Sequence, residues 1–154
     1  MGCGSSAAAP TTTPAPKPAS VATPLAWLTN EAKPANKRLN QDQAAVLAAS
    51  QTNAKISTGT FFAHLASACT AMLGHARQAR RLPKAPSPTL ASAWQSMATA
   101  TANYASDCLA VTRTHSTASL DAWNASLTSM NTANVALNSV VTAIRSAGSS
   151  TSGG

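Results

Sequence analysis

Carboxylates are the scarcest chemical groups in this chain of 154 residues. Only Glu31, Asp42, Asp107 and Asp121 carry them, against 11 Lys and Arg, for a formal charge of +7. No paired carboxylates are placed for general acid and base work, and a closed, oxygen-rich metal site has too few ligands. His64 and His75 share a helix face but lie ~16 Å apart along it, too far to hold one metal. Met72 and His75 lack any haem-attachment CxxCH beside them, so a methionine there is packing. G-x-S-x-G and comparable nucleophile motifs are missing. Helix-turn-helix, RNP and zinc patterns are missing as well, so the positive charge does not by itself point to nucleic acid. Catalytic residues, metals and cofactors are therefore not expected, and the chain reads as a non-enzyme. Nothing approaches the ~18 consecutive apolar residues of a membrane-spanning helix. Period-two alternation, the mark of strands, is absent too.

What the chain has is alanine, threonine and serine. Alanine is the best helix former, and the hydroxyl residues leave packing to supply the rest of the stability. Three segments carry apolar stripes at alternating spacings of three and four. The first is Phe62, Leu65, Cys69, Met72, Ala76 and Ala79. The second is Leu90, Trp94, Met97, Thr101, Tyr104, Cys108 and Val111. The third is Leu120, Trp123, Leu127, Met130, Asn134, Leu137, Val141 and Ile144.

Boundary signals agree with the stripes. Ser87 is an N-cap with Pro88 at the first helical position, and Pro83, Pro86 and Pro88 break the preceding chain. Thr114–Thr117 separates the next pair, and Gly148 is the expected final C-cap. Upstream, Trp27, Leu39, Val46, Leu47 and Ile56 form a weaker stripe, interrupted near Pro34 and ended by Ser57-Thr58-Gly59-Thr60. Short connections then favour an all-α, up-down four-helix bundle over residues 24–147, with a flexible tail at 148–154. The alternative joins residues 36–82 into one helix of three. The apolar phase slips between Ile56 and Phe61, which argues for a turn.

Residues 1–23 hold Pro10, Pro14, Pro16 and Pro18 among Thr, Ser and Ala, a composition that cannot bury a core. This is the expected spacer, with a reach on the order of 60 Å if extended. Met1-Gly2-Cys3-Gly4-Ser5-Ser6 looks like the cleavage end of a bacterial lipoprotein signal, with Cys3 as the lipid anchor. No basic or apolar signal segment precedes it. The same residues also fit the N-myristoylation pattern, with Gly2 acylated and Cys3 a palmitate site. Both readings anchor the chain without spanning, and the alanine-rich, Arg-over-Lys composition favours the lipoprotein.

With Cys3 assigned to lipid, Cys69 and Cys108 remain, each on a core stripe. An oxidising envelope would pair them. With level helix ends the two sulfurs would differ in height by about 9 Å, which the Pro-rich loop can absorb if the ends are staggered. Two buried thiols are the alternative.

The segment from Cys69 to Cys108 resembles a family of small actinobacterial secreted helical proteins. The matching positions are Cys69, Leu82, Pro83, Pro86, Pro88, Trp94, Tyr104 and Cys108, with a looser match at Leu39 and Asp42. The resemblance implies an exported bundle with one disulfide, and no activity comes with it.

An up-down path brings the start of the first helix, the end of the second, the start of the third and the end of the fourth to one pole. That pole should collect Lys33, Lys37, Arg38, Arg77, Arg80, Arg81, Lys84 and Arg145, at the end where the tether enters. The expected function is a non-enzymatic envelope lipoprotein, extracytoplasmic and anchored to the cell membrane. Its bundle would meet the membrane surface, a protein or an anionic polymer. A carrier of a small apolar ligand or lipid is the second reading, and a basic nucleic-acid-binding protein the third.

Overall fold

The computed structural model describes residues 23–51 and 57–150, with no side-chain description for Ser150. Cys3, Lys17, Lys55 and Ile56 therefore lie outside the described residues, as do the tether up to residue 22 and the tail from residue 151. The described residues form helices throughout, in the order expected of an all-α four-helix bundle.

The first rod begins with α1 (Pro24–Trp27), passes through a π-helical stretch (Leu28–Ala32) and continues as α2 (Lys33–Ser50). Thr23 caps it, its hydroxyl accepting from Ala26 N at 3.2 Å. The break expected at Pro34 does not occur. Pro34 has no N–H, and its ring needs room at the carbonyl four residues back. The wider π register, with Lys33 N–H donating to Leu28 O, supplies that room, so the rod bulges instead of ending. It ends at Ser50, where Gln51 turns to extended backbone.

The other three rods are α3 (Thr58–Ala79), α4 (Pro88–Thr114) and α5 (Thr117–Ser150). Thr58, Gly59 and Thr60, expected to close the first helix, instead open α3. The Ser57 hydroxyl accepts from Thr60 N and so turns that cluster into an N-cap. Ser87 caps α4 in the same way through Leu90 N, with Pro88 in the first turn, as its sequence indicates. Gly148 does not terminate the last helix. It keeps a helical continuation to Ser150, because a glycine takes the left-handed cap only where the chain must turn, and α5 does not turn there.

Between α4 and α5 the chain reverses over His115 and Ser116. His115 is left-handed at φ 51°, an uncommon conformation for a residue with a Cβ. Its imidazole stacks on Phe62 at 3.9 Å between ring centroids, and Nε2 lies 2.9 Å from Thr112 O. Ser116 then caps α5 through Ser119 N.

The many hydroxyls are accommodated by their own helices. Thr70, Thr101, Thr114 and Ser139 each donate to the carbonyl four residues back, so buried Thr101 costs no unpaired polar atom. The core divides into two layers. One holds Trp27, Leu39, Ala76, Ala79, Leu90, Trp94, Met97 and Leu137 near the pole where α1 starts. The other holds Val46, Leu65, Cys69, Met72, Tyr104, Ala105, Cys108 and Met130. Leu47 and Leu120, placed on apolar stripes by their spacing, are 61% and 42% exposed and belong to neither.

Cys69 and Cys108 join α3 to α4 across the second layer, with Cα atoms 6.1 Å apart. Measured from that bond, α3 ends after about 15 Å while α4 begins about 30 Å away. The helix ends are thus staggered, as the pairing requires. The overhang of α4 is filled by the loop carrying Ala85 and by Trp27 from the first rod. Trp27 Nε1 donates to Pro83 O at 2.8 Å, and Trp94 Nε1 donates to Ala79 O at 2.8 Å. The two indoles meet edge to face at 5.5 Å.

Candidate functional site: a basic end and an open seam

Neighbouring rods pack closely along three seams, α2 with α3, α3 with α4 and α4 with α5. The fourth seam, which would close the ring, is made chiefly at one end, where α1 meets α5. Beyond that point α2 and α5 leave a groove of about 600 Å³. Its apolar surfaces come from Leu28, Ala32, Trp94, Leu137 and Val141. Lys33, Lys37 and Arg145 bring three cations to it from two helices, and Asn36, Asn40, Gln41 and Asn138 bring amides. No carboxylate is among its lining residues. The π stretch contributes Leu28 and Ala32 directly and sets the register at which Lys33 and Lys37 face the groove.

The remaining basic residues form a second group around the end of α3. Arg77, Arg80 and Arg81 share one surface recess with Gln95, whose amide donates to Arg80 O at 3.1 Å. Arg38 lies on the α2–α3 face, in a recess with Glu31, His75 and Gln78. Lys84 sits in the α3–α4 loop that Trp27 holds. The eight basic residues therefore gather at the end of the bundle where the described chain begins, but on two faces. Lys33, Lys37 and Arg145 face the open seam, and the arginines ring the end of α3. Arg113, at the far end of α4, stands apart from both.

One polar contact between helices was not evident from spacing. His75 Nδ1 lies 2.7 Å from Asp42 Oδ2, joining α3 to α2, with side chains 37% and 13% exposed. Asp42 is the single carboxylate of α2, and a lone acid four residues after Arg38 on the α2–α3 face is the signal that could have marked it. His64 is exposed and takes no part. Among the described residues no three His, Cys, Asp or Glu side chains are grouped for a metal, and no helix is long and apolar enough to cross a membrane.

In the disulfide layer, Tyr104 and Trp123 rings lie 5.6 Å apart. Burial raises the Tyr104 phenol above its ordinary value, and the neighbouring Trp123 side chain offsets part of that rise. Trp123 Nε1 is buried without a well-aligned hydrogen bond, a cost this layer carries.

No family model, curated protein or solved structure matches the chain.

Proposed function

We propose that this chain is a non-enzymatic interaction module of the bacterial cell envelope, acylated at Cys3 and related to the small actinobacterial secreted bundles that its Cys69–Cys108 segment resembles. The bundle stands at the outer face of the membrane with its basic end toward an anionic surface. The observation that carries this reading is the gathering of Lys33, Lys37, Arg38, Arg77, Arg80, Arg81, Lys84 and Arg145 at the end where the tether joins. Against that set stand Glu31, in the Arg38 recess, and Asp42, which is paired with His75. Close to an anionic surface each such cation contributes ~1 kcal/mol, and salt screens it.

The full chain with Cys3→Ser tests the electrostatic half. It should float with vesicles containing anionic lipid at low salt and be released as salt rises, and Arg77→Gln/Arg80→Gln/Arg81→Gln should lose most of that preference. Equal partition onto neutral and anionic vesicles contradicts the reading. Intact-mass measurement of the native N-terminus tests the anchor: an unmodified Cys3 would contradict it.

A further inference from the structure

The α2–α5 groove combines two properties that the recess around the arginines does not. Its floor is apolar, and it takes two cations from α2 and one from α5. Its apolar lining is Leu28, Ala32, Ala44 and Val141 above the buried Trp94 and Leu137, with the amides of Asn36, Asn40, Gln41 and Asn138 at its sides. A ligand that suits both needs one apolar chain and one compact anionic head.

Size limits the occupant. A partner helix is about 10–12 Å in diameter, whereas the groove offers about 600 Å³. A single hydrocarbon chain is much thinner. Lys33 and Ala44 are about 16 Å apart along α2. With carbon–carbon bonds of ~1.5 Å a zig-zag chain advances ~1.25 Å per carbon, so about 13 carbons cover that distance. The volume also falls in the usual range for small-molecule sites.

We propose that the groove binds a free long-chain fatty acid, its carboxylate held by Lys33, Lys37 and Arg145 and its chain laid over Trp94 and Leu137 toward Ala44. This goes beyond the membrane-facing role, which counts Lys33, Lys37 and Arg145 among its cations but makes no use of the groove's apolar floor.

The test is calorimetric titration of the full chain, carrying Cys3→Ser, with tetradecanoate below its aggregation concentration. Saturable one-to-one binding is expected. Ala44 is exposed, so Ala44→Trp should fold normally while filling the groove and lowering the affinity at least tenfold. Lys37→Gln and Arg145→Gln should each weaken tetradecanoate about tenfold, the scale of one charge-assisted hydrogen bond. Tetradecanol should bind more weakly and be indifferent to both changes. Arg77→Gln/Arg80→Gln/Arg81→Gln should bind tetradecanoate as the parent does, even where its vesicle preference is lost, so the two proposals fail separately. The assignment is overturned by the absence of saturable binding or by unchanged affinity in Ala44→Trp. It is equally overturned if zwitterionic lysophosphatidylcholine of the same chain length binds as tightly.

Discussion

The two layers of this bundle are built from similar helices and held by different means. Around Cys69 and Cys108 the helices are joined covalently, and Leu65, Met72 and Met130 fill the space between them to 1% exposure each. Around Trp27 and Trp94 the joints are indole N–H groups bonded to carbonyls at the end of α3 and in the following loop. That second arrangement tolerates an open seam. The first pins α3 to α4 covalently, and Val46 of α2 and Met130 of α5 pack onto the pinned pair. The stagger that the disulfide imposes leaves α4 overhanging, and the tryptophans fill the overhang. The layer at the end where the described chain begins is thus the one with a groove and with most of the positive charge.

Removing the staple should produce the largest effect. The bond closes a loop with a separation of 39 residues, for which the chain-entropy model gives about 4 kcal/mol. Cys69→Ala/Cys108→Ala, or reduction of the parent, should lower the thermal midpoint by about 10–20 °C. A fall of only a few degrees would show that packing, not the bond, holds the disulfide layer.

The tryptophan layer should be weaker and graded. Trp94→Phe leaves the buried Ala79 carbonyl with only the long bond from Leu82 N at 3.4 Å, and a small void, costing about 2–3 kcal/mol. Trp27→Phe should cost less, about 1–2 kcal/mol, because its bond to Pro83 O is only partly buried. Chemical denaturation of both variants measures the order, and a reversed order would break the assignment of the main joint to Trp94.

Tyr104 offers a pH probe of the disulfide layer alone, since it is the single tyrosine of the chain. Its folded pKa is raised from the ordinary 10.0 by burial. A raised value means that the folded state holds its proton longer, so stability is intact below pH ~10 and falls as pH rises beyond it. Phenolate absorbance should appear later in the folded chain than in denaturant, and Tyr104→Phe should flatten the alkaline decline. The smallest effect belongs outside both layers: Val135, 66% exposed on α5, should accept Lys within about 0.5 kcal/mol.

Legibility in the sequence follows the same division. Spacing alone picks out Leu65, Cys69, Met72, Ala76 and Ala79, all of them buried, because α3 has neighbours on two sides and its stripe has one orientation. The stripe of α5 is less faithful, with Leu120 exposed and Trp123 only half-buried, since that helix packs mainly on α4. Pro34 misleads for a local reason: proline ends a helix in α register, and a π turn relieves the same clash. The pairing of Cys69 with Cys108 is permitted by loop length and stagger, and it is expected from an oxidising envelope and from the resemblance, with two buried thiols as the alternative. The groove is not foreseeable, because Lys37, Asn40 and Ala44 lie off the apolar stripe, and only the spacing between two distant rods makes them neighbours of Arg145.

The central claim is that one layer holds the bundle together while the other is left open to bind. Hydrogen exchange on the oxidised full chain, with and without saturating tetradecanoate, tests it most directly. The slowest amides should lie in α3 and α4 around Cys69 and Cys108 and should not change on addition. New protection should appear in α2 from Lys33 to Ala44 and in α5 from Leu137 to Arg145. Protection confined to the disulfide layer, or slowest exchange in the groove-lining helices, would contradict it.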